Sequence, residues 1–265
     1  MGETNNVVMM GRLGNQLFQI ATGLAHSKRT GRTLAIVPDV HTPSYIARGY
    51  LHTCGKWITT KHSCHPDWQE PTLGYTSIPP HARNLKGYFQ TEKYFDTIRN
   101  DLYELFTLPE SIECYAHSKW GDLISRMPAL TVVHIRRGDY FQSAVNMKNH
   151  GFLTDKYYTR AMQASGAERV AIFSDDIEWC KRQSWLPHDR CEFIDESDEQ
   201  IALYLMTKSK SFIISNSSFS WWAAYLSGEG ARVWAPDRWY PRTSAFANSG
   251  WEDIYMSGWI KVPTD

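Results

Sequence analysis

The chain has 265 residues, enough to bury one large core or two of ordinary size, so an enzyme is possible on size alone. Lys and Arg total 28 against 28 Asp and Glu, which excludes whole-molecule attraction to nucleic acid or to an anionic membrane, and any anion must be held by local groups. The start "MGETNNVVMMGRLGNQ" has no basic leader, no window reaches about 18 uninterrupted apolar residues, and the five cysteines are irregularly spaced. These features predict a soluble cytoplasmic chain with no membrane-spanning segment and with reduced thiols.

In chain order, Val7–Met10 predicts a short strand. "GRLGNQ" follows as a loop, and "LFQIATGLAHSKRTG" predicts a helix stopped by Gly31. "TLAIVPD" closes the first βαβ unit. From His41 to His81 the pattern is irregular, and "YFDTIRNDLYELFTLP" predicts a helix with Ile98, Leu102, Leu105 and Phe106 on one stripe. The α/β alternation then resumes. "LTVVHI" is a strand, "TDKYYTRAMQAS" a helix with Thr154 at its N-cap, "RVAIFSDD" a strand and "EQIALYLMTKS" a helix. "SFIISNSSFSWWAAYLSG" reads as strand, polar turn and helix, and "ARVWAP" as a last strand. Such alternation predicts an α/β fold with parallel sheets and a boundary between residues 110 and 128.

Polar turns follow apolar strands at Gly11–Gln16, His134–Asp139 and Ser215–Ser220. Strand ends gather on one side of a parallel sheet, so turns of this kind can converge on a ligand. Their chemistry suits a phosphorylated one: glycines permit close backbone approach, hydroxyls and helix-start amides bind oxyanions, and Arg136 and Arg137 supply permanent forked charge. The competing readings are weaker. Arg137-Gly-Asp matches a cell-adhesion tripeptide and Asn216-Ser-Ser a glycosylation sequon, both out of place in a chain read as cytoplasmic. His52, Cys54, His62, Cys64 and His65 offer soft ligands, but at spacings foreign to common zinc sites. There is no G-x-x-x-x-G-K-[ST], no G-x-G-x-x-G and no D-x-D, so arginine must do the work of a divalent ion on any diphosphate.

Taken together, "GRLGNQLFQ", "GYFQTEKYF", "VVHIRRGDY", "FSDD", "LYLMTKSKSFIISNSSFSWWAAYL" and "WAPDRWY" resemble the α1,2-fucosyltransferases of glycosyltransferase family 11, from about Val8 to Ile260. The resemblance implies two Rossmann-like halves facing across a cleft, the GT-B type. An acceptor-side domain would span 1–115 and a GDP-fucose-binding domain 116–265. It implies inverting transfer of L-fucose from GDP-β-L-fucose to a glycan acceptor, usually O2 of a terminal galactose. GDP-fucose is then a co-substrate, and no metal or other cofactor is implied.

On the same resemblance, Arg136 binds the pyrophosphate, and Asn15, His134 and Asp139 join it as catalytic candidates. Gly11, Arg12, Gly14, Asn15, His134, Arg136, Asp175, Asn216, Ser217, Ser218 and Phe219 would hold the donor. Arg137 is expected on the opposite face, paired with Asp139, and Ala202 stands where relatives often carry an acid. His134, Asp139 and Glu92 are the residue types available as a general base. Two rival readings stay open: a different donor or linkage, or a carbohydrate-binding protein using the rings of Trp221, Trp222, Trp234 and Trp239.

Overall fold

The computed structural model describes residues 3–38, 45, 49–59, 66–138 and 144–265. The chain forms two compact units, Met1–Pro109 with Asn248–Met256, and Glu110–Ala247 with Ser257–Asp265.

In the first unit, β1 (Thr4–Val8), β2 (Thr33–Val37), β3 (Trp68–Gln69) and β4 (Asn84–Lys86) form a parallel sheet in the order β2-β1-β4-β3. Helix α1 (Leu13–Thr30) links β1 to β2 and buries Leu13, Leu17, Phe18, Ile20 and Ala21. It ends where Gly31 turns left-handed at φ +67° and Arg32 N–H reaches back to the Ser27 carbonyl at 3.0 Å. The helix predicted from "YFDTIRNDLYELFTLP" is shorter than its stripe suggested. Two 3-10 turns, Glu92–Tyr94 and Asp96–Ile98, precede α2 (Arg99–Leu105), because non-helical Phe95 and Ile98 interrupt the run.

The second unit carries six parallel strands: β5 (Thr131–Ile135), β6 (Val170–Ser174), β7 (Cys191–Phe193), β8 (Ser211–Ile213), β9 (Arg232–Pro236) and β10 (Ile260–Val262). Their order, β10-β9-β8-β5-β6-β7, is doubly wound and reverses between β5 and β8. Helices α3 (Glu110–Arg126), α4 (Ala144–His150), α5 (Asp155–Ser165), α6 (Ile177–Cys180), α7 (Glu199–Thr207) and α8 (Ser218–Leu226) complete it.

All five residues of β5 are buried, which accounts for its mainly apolar sequence without an alternating pattern. Thr154 occupies the N-cap of α5 without a side-chain bond. The stretch read as a boundary holds α3, whose buried residues are only Ala116 and Leu123 and which breaks at Trp120. No helix among the described residues is long and apolar enough to cross a membrane.

Candidate active site

The reversal of strand order puts the ends of β5 and β8 side by side, and the polar turns of the second unit leave from those two ends. His134 is 4% exposed, with Nδ1 2.8 Å from Ser215 Oγ and its ring 5.5 Å from that of Phe219. Burial is the main cause of its lowered pKa; Arg136 lowers it further and Asp175 opposes both, leaving it at about 4. The imidazole is therefore neutral at pH 7 and ties the two strand ends together.

Arg136 Nη1 pairs with Asp175 Oδ2 at 2.9 Å, and Asp175 Oδ1 accepts the Arg137 amide at 2.8 Å. Gly138 makes this possible, since a Cβ there would overlap the Asp175 carboxylate. Arg137 Nε donates to Asp176 Oδ2 at 3.2 Å, and its guanidinium lies 3.6 Å over the Trp179 ring. Asp176 also caps α6 by accepting the Trp179 amide at 3.2 Å. Asp139 itself lies outside the described residues.

At the end of β8, the Tyr157 hydroxyl donates to the Ile214 carbonyl at 2.6 Å, fixing where the strand stops. Asn216 donates to the His150 carbonyl at 2.8 Å and the Trp239 carbonyl at 3.1 Å, so its amide braces the end of α4 and the loop after β9. Ser217 caps α8 by accepting the Phe219 amide at 3.3 Å, while Ser218 and Phe219, on the first turn, are half-buried. The positive end of α8 and the Arg136 guanidinium thus leave from neighbouring strands, an arrangement whose charge suits an oxyanion.

In the first unit, Gly11 takes φ +71°, and a Cβ there would overlap the Asn15 amide. Asn15 Oδ1 accepts from Gln90 Nε2 at 2.7 Å. Gly14 is buried in the first turn of α1, and Arg12 is exposed at its N-cap. Glu92 is bound to Arg99, and burial raises its pKa.

A model described as "Glycosyl transferase family 11" matches residues 1–263. The chain belongs to that family. An α1,2-colitosyltransferase of Escherichia coli is 37% identical over 165 residues, covering 59% of this chain and 56% of that protein. The galactoside α-(1,2)-fucosyltransferase 2 of Bos taurus is 26% identical over 271 residues, covering 97% of this chain and 78% of that one. The fold is similar to that of the fucosyltransferase NodZ from Bradyrhizobium, with a TM-score of 0.51 at 12% identity, covering 83% of this chain and 92% of NodZ. NodZ has also been soaked with GDP-fucose in the crystal. The chain spans 56–63% of the length of three of the curated relatives it matches.

Within this family 11 chain, the residues expected at the donor divide by unit. His134, Arg136, Asp175, Asn216, Ser217, Ser218 and Phe219 belong to the second unit and gather at the ends of β5, β6 and β8; Gly11, Arg12, Gly14 and Asn15 belong to the first. Asp176 and Trp179 escaped the sequence reading, although the doublet in "FSDD" was the available signal. Of the suspected zinc ligands, Cys54 is buried with its thiol pushed up to about 12, and His52 Nδ1 lies 3.0 Å from the Gly49 carbonyl. His62, Cys64 and His65 lie outside the described residues, among which no metal-sized cluster occurs. Trp221, Trp222, Trp234 and Trp239 are all at most 3% exposed, so their rings build the core and are not available to stack on a glycan.

Proposed function

We propose that this chain is an inverting, metal-independent transferase that moves L-fucose from GDP-β-L-fucose to a glycan, at O2 of a terminal galactose. The observation that carries the reading is Arg136 at the strand-order reversal of a family 11 chain, one strand away from the helix start at Ser217–Phe219. On this reading the units are the acceptor-side and donor-side halves of a GT-B enzyme, working in the cytoplasm.

The bond from fucose C1 to the β-phosphate oxygen breaks as the galactose hydroxyl oxygen bonds C1 from the opposite face. Negative charge then grows on GDP, and Arg136 with the first-turn amides of α8 stabilises it where it develops, which lowers the barrier. Strong fixed charge at this point substitutes for a divalent ion. His134, with a pKa of about 4, is too weak a base at neutral pH, and Glu92 is tied to Arg99. The acceptor proton goes to Asp139 or to the departing β-phosphate.

A second donor has a specific observation behind it, the 37% identity to a colitosyltransferase. Colitose is L-fucose without its 3-hydroxyl, so both donors present the same diphosphate. The test is GDP release in EDTA from GDP-fucose and from GDP-colitose, with and without lactose, followed by NMR of the product linkage. Lactose-dependent release from GDP-fucose with an α1,2 product is expected. Faster release from GDP-colitose would move the assignment to that donor, and activity that returns only with added metal would overturn the metal-free mechanism.

A further inference from the structure

After β4 ends at Lys86, the chain turns through Gly87, Tyr88 and Phe89. Phe89 holds φ +54°, the one positive φ outside glycine among the described residues. Its ring is fully buried, stacked 6.1 Å from Trp68. A bulky residue in the left-handed region is strained by about 1–3 kcal/mol and persists only where its surroundings over-determine it. Here Glu70 does so. Its carboxylate accepts the Tyr88 amide at 2.8 Å and the Phe89 amide at 3.0 Å. Gly87 lets the strand pass, since a Cβ there would stand 2.6 Å from Glu70 Cβ and 2.7 Å from Phe89 Cε1.

The product of that strain is the placement of Gln90. Its amide donates to Asn15 Oδ1 at 2.7 Å, joining the turn after β4 to the first turn of α1, the helix that follows the neighbouring strand β1. Gln19, also on α1, ties the same turn to the helix and to the loop after β1, donating to the Gly87 carbonyl at 3.2 Å and accepting the Met10 amide at 2.9 Å. Among the described residues the Asn15–Gln90 bond is the only side-chain hydrogen bond that either amide makes. Two amides joined by one N–H···O bond have one whole amide NH2, the second N–H of the donating amide and one unused carbonyl oxygen left, whichever way round the pair is assigned. That remainder matches a sugar hydroxyl, which both donates and accepts. Tyr88, two residues before Gln90, is 40% exposed.

We infer that the Asn15–Gln90 amide pair reads one ring hydroxyl of the acceptor galactoside, and that Glu70 is the positioning residue that sets the pair by holding Phe89 left-handed. The choice of a galactoside rests on the fucosyl-transfer reading; the pairing of the amides does not. The test is calorimetric binding of lactose and its monodeoxy-galactose analogues, with GDP present, to the full chain and to its Glu70→Gln and Gln90→Leu variants. The unaltered protein should bind one deoxy analogue about tenfold more weakly than lactose, as loss of one matched hydrogen bond does. Both variants should bind lactose about tenfold more weakly and cease to distinguish it from that analogue. Discrimination that survives in Gln90→Leu overturns the inference, as does the absence of galactoside binding. An equal loss of GDP affinity in Glu70→Gln would make Glu70 a general scaffold residue and overturn its positioning role. Should Glu70→Gln fail to fold, Gln90→Leu decides alone. Discrimination without any fucose transfer supports the amide pair and sinks the transferase reading instead.

Discussion

Arg136 is held before chemistry begins: Asp175 fixes its guanidinium at 2.9 Å, and the Arg137 amide fixes Asp175 at 2.8 Å. A donor group oriented in advance needs little reorganisation as charge develops, and removing one such group costs about 10²–10³ in kcat. Arg136→Ala should lose that much turnover while its melting temperature changes little, because Asp175 keeps its main-chain partner. Near-normal kcat in the variant would remove Arg136 from the mechanism. His134 makes a stability prediction of definite sign. Its pKa is about 4 in the folded chain against the ordinary 6.5, so the native state favours the neutral ring. Stability is complete above pH 6.5 and is lost as the pH falls towards 4, where the unfolded chain takes up the proton first. The contribution is about 3 kcal/mol. Urea unfolding at pH 7 and pH 4.5 should show most of that difference, and His134→Gln, which keeps a polar partner for Ser215, should flatten it. An unchanged pH profile in the variant would show that His134 is not the group responsible.

The turn between β8 and α8 depends on Asn216, which supplies both of its amide hydrogens to the His150 and Trp239 carbonyls and is 6% exposed. Such an amide cannot carry a glycan in the folded chain, which is the physical reason to set the sequon aside. Asn216→Ala should cost about 2 kcal/mol, since buried carbonyls lose their donors, and urea titration reads it directly; a change under 0.5 kcal/mol, about the size of a surface substitution, would mean water replaces the amide without penalty. Elements of this kind were legible in the sequence because each pairs a buried strand with a helix of clear period. β5 is buried throughout, with apolar Val132, Val133 and Ile135, and α8 buries Ser220, Trp221, Trp222, Ala223, Ala224 and Tyr225. α3 was not legible, because a helix that buries two of its residues has almost no apolar stripe to read. β3, β7 and β10 have two or three residues each and sit at or near sheet edges, too short for an alternation. Asp176 as a partner of Arg137 was missed for another reason. Asp176 comes near only because β5 and β6 are neighbours, which spacing along the chain does not state.

At the scale of the whole molecule, each unit is completed by a short segment distant in sequence from the rest of its core. Asn248–Met256 belongs to the first unit and Ser257–Asp265 to the second. In the first, the Leu73 amide donates to the Ser249 carbonyl at 2.8 Å, the Tyr75 amide to Asp253 Oδ2 at 2.9 Å, and Trp251 and Ile254 are 4% and 2% exposed. Gly74 is a close-contact site in this seam, where a Cβ would stand 2.6 Å from the Gly250 carbonyl oxygen. In the second, β10 pairs with β9, and Trp259 lies 5.9 Å from Trp221. Residues 1–109 therefore lack part of their own core until residues 248–256 have been made. Removing a buried tryptophan costs about 3–5 kcal/mol. Because Trp251 serves the first unit, Trp251→Ala should lower amide protection in β1, β2 and β4 while leaving β5, β6 and β8 protected, with hydrogen exchange read by mass spectrometry as the measurement. Equal loss of protection in both sheets would show that the units unfold as one, and loss confined to residues 248–256 would show that the segment is attached to the first unit without helping to hold it.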